Sequence, residues 1–62
     1  MNVARAKQIA ESGEIIPVYY EDTQVVIQHV DEKNETARVY PRNNPEYEQE
    51  VPLQMLREEE NA

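Results

Sequence analysis

The stretch "QVVIQHVDEKNETARVY", residues Gln24–Tyr40, has two runs of β-branched and aromatic residues on either side of a polar break, Glu32-Lys33-Asn34. Such runs suit the pleated, half-buried surface of a sheet, and a short polar break between them is a hairpin signal. Taken as a three-residue loop with Asn34 in the left-handed conformation that Asn tolerates, the break sets Asp31 opposite Glu35, Val30 opposite Thr36 and His29 opposite Ala37. It also sets Gln28 opposite Arg38, Ile27 opposite Val39 and Val26 opposite Tyr40. The preceding run "EIIPVYY" reads as a further strand. With Glu21-Asp22 as a two-residue turn, Val18 faces Val25 and Ile16 faces Ile27.

Side chains alternate across a strand, so the two turns test each other. Together they gather Ile16, Val18, Val25, Ile27, Ala37 and Val39 on one face, with His29 near its edge. The other face takes Ile15, Pro17, Tyr19, Gln24, Val26, Gln28, Arg38 and Tyr40 and is mixed. A one-residue slip in either turn would scatter the aliphatic residues over both faces.

Outward from this hairpin pair, "NVARAKQIAESG" is rich in helix formers, with Asn2 as a cap for the first turn and Gly13 as a left-handed end. Val3, Ala6, Ile9 and Ala10 fall on one stripe, while Arg5, Lys7 and Gln8 face water. A helix this short is marginal alone and needs the sheet to lie on. After the hairpin, "PRNNPEYE" reads as a loop. A fourth strand follows, with Pro52 interrupting its ladder and "LQML" making a helical turn that points Leu53 and Leu56 inward.

The expected fold is therefore α+β: an N-terminal helix packed on a three- or four-stranded antiparallel β-meander, with an SH3-like barrel as its curled form. It is one small domain over 1–62, with a helix at about 2–12, strands at about 15–20, 24–31, 35–40 and 47–51, a helical turn at about 53–57, and a frayed tail at 58–62. No internal repeat is visible.

Composition bounds the function. The chain has 62 residues and no cysteine, so disulfides cannot staple it, and a single histidine leaves no zinc-site pattern. Thirteen acidic against six basic residues give a net charge of −7, which opposes approach to duplex DNA and to anionic lipid. No segment resembles a signal peptide or a membrane span, so a soluble intracellular protein is expected. No cofactor or metal is expected.

Three features invite a functional reading. His29, Asp31 and Glu35 meet at one end of the sheet, but an imidazole and two carboxylates make neither a metal cage nor a catalytic unit without a pocket, a nucleophile or an oxyanion donor. No motif sets Ser12, Thr23 or Thr36 beside a base, so His29 reads as structure at the core edge. The run Glu58 to Glu60 reads as a solvated tail, because three successive side chains diverge. Tyr19, Val26, Arg38 and Tyr40 form an aromatic and basic patch, either covered by the helix or long loop or left open for a peptide, a base or a second copy in a homodimer.

The segments "MNVARAKQIAES", "VVIQHVDEKNETARVYP" and "PEYEQEVPLQML" together resemble the H-type small acid-soluble spore proteins of endospore-forming bacteria, nearly end to end. The chain departs from the family's habit at "EDT", where an Asn-Gly type of turn is common, and at Gly13, where proline is common. The resemblance implies a non-enzymatic protein made in the forespore and residing in the spore core as a minor component. It implies no site residues. The DNA-coating α/β-type spore proteins are a separate sequence class, and nothing here matches them.

Overall fold

The computed structural model describes residues 1–13 and 16–58. One helix, α1 (Val3–Ser12), precedes five strands: β1 (Val18–Tyr20), β2 (Thr23–Asp31), β3 (Thr36–Pro41), β4 (Gln49–Pro52) and β5 (Leu56–Glu58). A single 3-10 turn, Leu53–Met55, joins β4 to β5. All pairings are antiparallel, and the sheet order is β4-β3-β2-β1-β5.

The helix begins and ends as its sequence requires. Asn2 Oδ1 accepts the amide of Arg5 at 2.7 Å, satisfying one of the donors a helix start leaves free. Gly13 closes it at φ 76°. Ala6 and Ile9 are buried and Val3 packs against them, but Ala10 is exposed beside an open groove at the helix end. Arg5 and Lys7, expected in water, are half-buried and bound to carboxylates, Arg5 to Glu58 of β5 and Lys7 to Glu32 in the turn after β2.

The first hairpin has the expected register, Val18 opposite Val25 and Tyr20 opposite Thr23, and Glu21 alone of its two turn residues has positive φ (54°). That is the sign pattern of a type II′ turn, in a position usually given to glycine. Ile16 precedes the ladder, which starts at Val18, and packs half-buried against the core instead of facing Ile27. Ile15, expected in this strand, lies outside the described residues.

The second hairpin corrects the sequence reading. Asp31 Oδ1 accepts the backbone amides of Lys33 (3.0 Å) and Asn34 (3.2 Å), and its Oδ2 accepts the side-chain amide of Asn34 (2.9 Å). These bonds engage Asn34 within the turn, so Glu35 takes the left-handed conformation (φ 53°) and the loop holds four residues, 32 to 35. Its pairs are Asp31–Thr36, Val30–Ala37 and His29–Arg38, one residue off the expectation. Gln28 then stands unpaired as a β-bulge, and the expected pairs Ile27–Val39 and Val26–Tyr40 resume below it. Val30 consequently turns toward the core, and His29, expected at its edge, is exposed.

The fourth strand begins at Gln49 rather than at 47, and Tyr47 is 63% exposed. Pro52 does not interrupt the ladder but pairs with Thr36. An edge strand tolerates this, since a missing N–H can face away from the sheet. Leu53 and Leu56 are buried as expected, yet Leu56–Glu58 is a fifth strand on β1, not the end of a helical turn and the start of a tail.

This last strand explains the shape. In a flat sheet β4 and β5 would lie about 19 Å apart, four strand spacings, whereas three residues of 3-10 helix advance only about 6 Å. The sheet must curl until its two edges approach. The result is an open, SH3-like barrel around Ala6, Ile9, Val18, Val25, Ile27, Ala37, Val39, Val51, Leu53 and Leu56. The Leu53 amide donates to the Glu35 carbonyl at 3.0 Å, and the Met1 ammonium donates to the carbonyls of Leu53 (3.1 Å) and Leu56 (3.4 Å). The 3-10 turn is thus tied both to the hairpin and to the entry of the helix.

Candidate functional site

The outward face of the sheet is built by alternation from the buried one. Val18 and Val25 point inward, so Tyr19 and its partner Gln24 point out, as does Arg57, which pairs with Tyr19 from β5. Val26 and Tyr40 are direct partners on the same side, and Arg38 follows Tyr40 at the next outward position of β3. Tyr19, Val26, Arg38 and Tyr40 therefore share one continuous surface across three neighbouring strands. The helix lies on the opposite, core side of the sheet, and Val26 remains 36% exposed.

The bulge adds to this face. It leaves Gln28 and His29 both exposed in succession, with His29 opposite Arg38. From the β3–β4 loop, Glu48 reaches over the sheet: its carboxylate accepts Arg38 Nε at 2.9 Å and Gln28 Nε2 at 3.3 Å. Glu48 and Arg57 escape a reading of the sequence because one lies in an irregular loop and the other in a strand recognised only by its pairing. The signal for Arg57 was present in Leu56-Arg57-Glu58, an inward-outward alternation directly after the turn.

The remaining charges fasten the fold. Arg5 Nη2 and Nε bind the two oxygens of Glu58 at 2.6 and 2.9 Å, joining α1 to β5. This hydrogen bonding holds the Glu58 carboxyl below, and the Arg5 guanidinium above, their ordinary pKa values. Lys7 Nζ donates to Glu32 at 2.7 Å, which raises the Lys7 pKa. The backbone amide of Asn34, with its side chain next, lowers the Asp31 pKa. Of the expected glutamate run, Glu58 serves Arg5, and Glu59 and Glu60 lie outside the described residues.

The histidine gathers no partners of catalytic kind. Thr36 Oγ1 is bonded to Glu50, Ser12 Oγ donates to the Ile9 carbonyl at 3.1 Å, and Thr23 is exposed at the first turn. Glu35, which the three-residue loop would have brought opposite Asp31, sits in the turn itself. Among the described residues no three His, Cys, Asp or Glu side chains converge as metal ligands, and no helix is long and apolar enough to cross a membrane.

By fold and surface this is a small acidic barrel domain whose open side is a sheet face of tyrosine, arginine and glutamine. Its sequence matches the model of the Small acid-soluble spore protein H family over residues 1–58, and the chain belongs to that family. It is 56% identical over 59 residues to a "Small, acid-soluble spore protein H 2" of Geobacillus kaustophilus, covering 95% of this chain and 100% of that one. It is 53% identical to the "Small, acid-soluble spore protein H" of Halalkalibacterium halodurans, covering 94% of this chain and 97% of that one. The protein of the same name from Bacillus subtilis is 46% identical, covering 95% of this chain and 100% of that one. No solved structure matches the chain.

Proposed function

We propose that this spore protein is a non-enzymatic component of the spore core, made in the forespore during sporulation. The observation that carries the reading is membership of the spore family along nearly the whole chain, with relatives of nearly the same length that bear the spore-protein H name. The side chains support it. Among the described residues, the ionisable groups with altered affinity for protons, Arg5, Lys7, Asp31 and Glu58, are each held by a structural hydrogen bond. Enzymes usually invert this pattern, placing perturbed groups in a cleft beside a reacting atom. A fluorescent fusion under the native promoter tests the proposal: signal should arise only late in sporulation, inside the forespore, and stay in the core fraction of purified spores. Abundant protein in growing cells, or in the mother cell alone, would overturn it.

A further inference from the structure

The core is unevenly sealed. Its most exposed members, Ile9 and Ile27 at 7% and Val25 at 3%, all line one groove at the C-terminal end of α1. The cause is local. Ala10, next on the helix stripe, offers only a methyl group, and β1 pairs with β2 no further than Val18 opposite Val25, so no strand closes over Val26 and Ile27 on that side. Ile16, half-buried, and Val18 complete an apolar wall around a space of about 280 Å³. Protein interiors leave few voids larger than a water molecule, and small-molecule sites begin near about 300 Å³. A cation stands at this groove. The Arg42 amide donates to the Gln24 carbonyl at 3.1 Å, which anchors the residue there, and its exposed side chain has no ionic partner among the described residues. No carboxylate is among the described residues that line the space.

We propose that this groove binds a free medium-chain aliphatic carboxylate, with its alkyl chain along Ile9, Ala10, Ile16 and Ile27 and its carboxylate on the Arg42 guanidinium. Apolar walls select an alkyl chain, and an arginine with its planar fork of donors selects a carboxylate. Counting about 30 Å³ for each carbon, roughly the volume of a water, the groove takes a chain of about eight to ten carbons. A phospholipid is the poorer source of such a chain: its paired, longer acyl groups exceed this volume, and a net charge of −7 opposes an anionic bilayer more than a lone monoanion.

Titration of the isotopically labelled full chain with sodium decanoate, below the concentration at which it forms micelles, tests this by nuclear magnetic resonance. Saturable shifts should centre on the methyl groups of Ile9, Ala10, Ile16 and Ile27 and on the Arg42 side chain. Hexanoate, which lacks much of the alkyl chain, should bind at least about tenfold more weakly. Arg42→Ala should weaken decanoate binding by up to about fivefold, the range of an exposed ion pair, and decylammonium should bind the unaltered chain more weakly than decanoate by at least that factor. Ala10→Phe, which fills the groove from an exposed position, should abolish the shifts, and circular dichroism checks that both variants fold. Phosphatidylglycerol vesicles should not bind. Shifts that never saturate, equal binding of decylammonium and decanoate, unchanged affinity in folded Ala10→Phe, or a preference for vesicles would overturn the proposal.

Discussion

The carboxylate of Asp31 decides which residue of the second hairpin turns left-handed. By engaging the amides of Lys33 and Asn34 it leaves the positive φ to Glu35, and the carbonyl of Glu35 then receives the Leu53 amide. Asp31→Ala should therefore lower the urea midpoint clearly more than Lys33→Ala, whose side chain is exposed at the loop tip. The same residue sets an acid limit. Asp31 and Glu58 have folded-state pKa values below their ordinary 3.8 and 4.5, so their contribution is complete above the ordinary values and lost as the pH falls through the folded ones. Melts between pH 6 and 2 should show stability falling below about pH 4.5, with a shallower fall in an Asp31→Asn, Glu58→Gln double variant. His29 carries no such weight. Exposed at the bulge, it should tolerate His29→Ala at a cost under about 0.5 kcal/mol, whereas Ala37→Asp, driving a charge into a site 1% exposed, should cost about 3 kcal/mol or more. Equal losses for the two variants in urea would contradict this placement.

At the scale of elements, the parts legible in the sequence were those specified by local chemistry. Asn2 and Gly13 mark the helix ends, and the alternation of Val25, Ile27 and Val39 marks the core side of the central strands. Two features rest on longer-range geometry. The bulge at Gln28 exists because a four-residue loop and an aliphatic Ile27–Val39 pair can coexist only if one residue is left over, and no side chain of Gln28 announces that. Strand β5 is three residues long and gains its identity from β1, distant in sequence but adjacent across the ladder through Tyr19 and Arg57. The outward face was legible for its β1–β3 members, which alternation alone places together; Glu48 and Arg57 needed the loop path and the fifth strand. Gly13→Ala should cost about 1 kcal/mol from φ alone, since nothing lies within 4 Å of an added Cβ. Leu56→Ala, removing a fully buried side chain that anchors β5, should cost about 3 kcal/mol. Thermal or urea melts check both, and a reversal of that order would place β5 outside the cooperative core.

For the whole molecule, the net charge of −7 and the curl of the sheet act on different questions. Charge sets the company the protein keeps: a gel-shift titration at physiological salt should show no complex with duplex DNA, and salt-sensitive micromolar binding would count against the surface described above. Curl sets which residues form that surface, because it carries β5 round to β1 and leaves the aromatic and arginine positions facing out while the helix seals the other side. Everything said of the face depends on the registers of β2 on β3 and of β1 on β5. Interstrand proton contacts in a nuclear Overhauser spectrum read both at once. The structure predicts contacts between Ile27 and Val39, between His29 and Arg38, between Val30 and Ala37, and between Tyr19 and Arg57. Contacts of His29 with Ala37 and of Gln28 with Arg38, or a chain beyond Leu56 without any contact to β1, would contradict it.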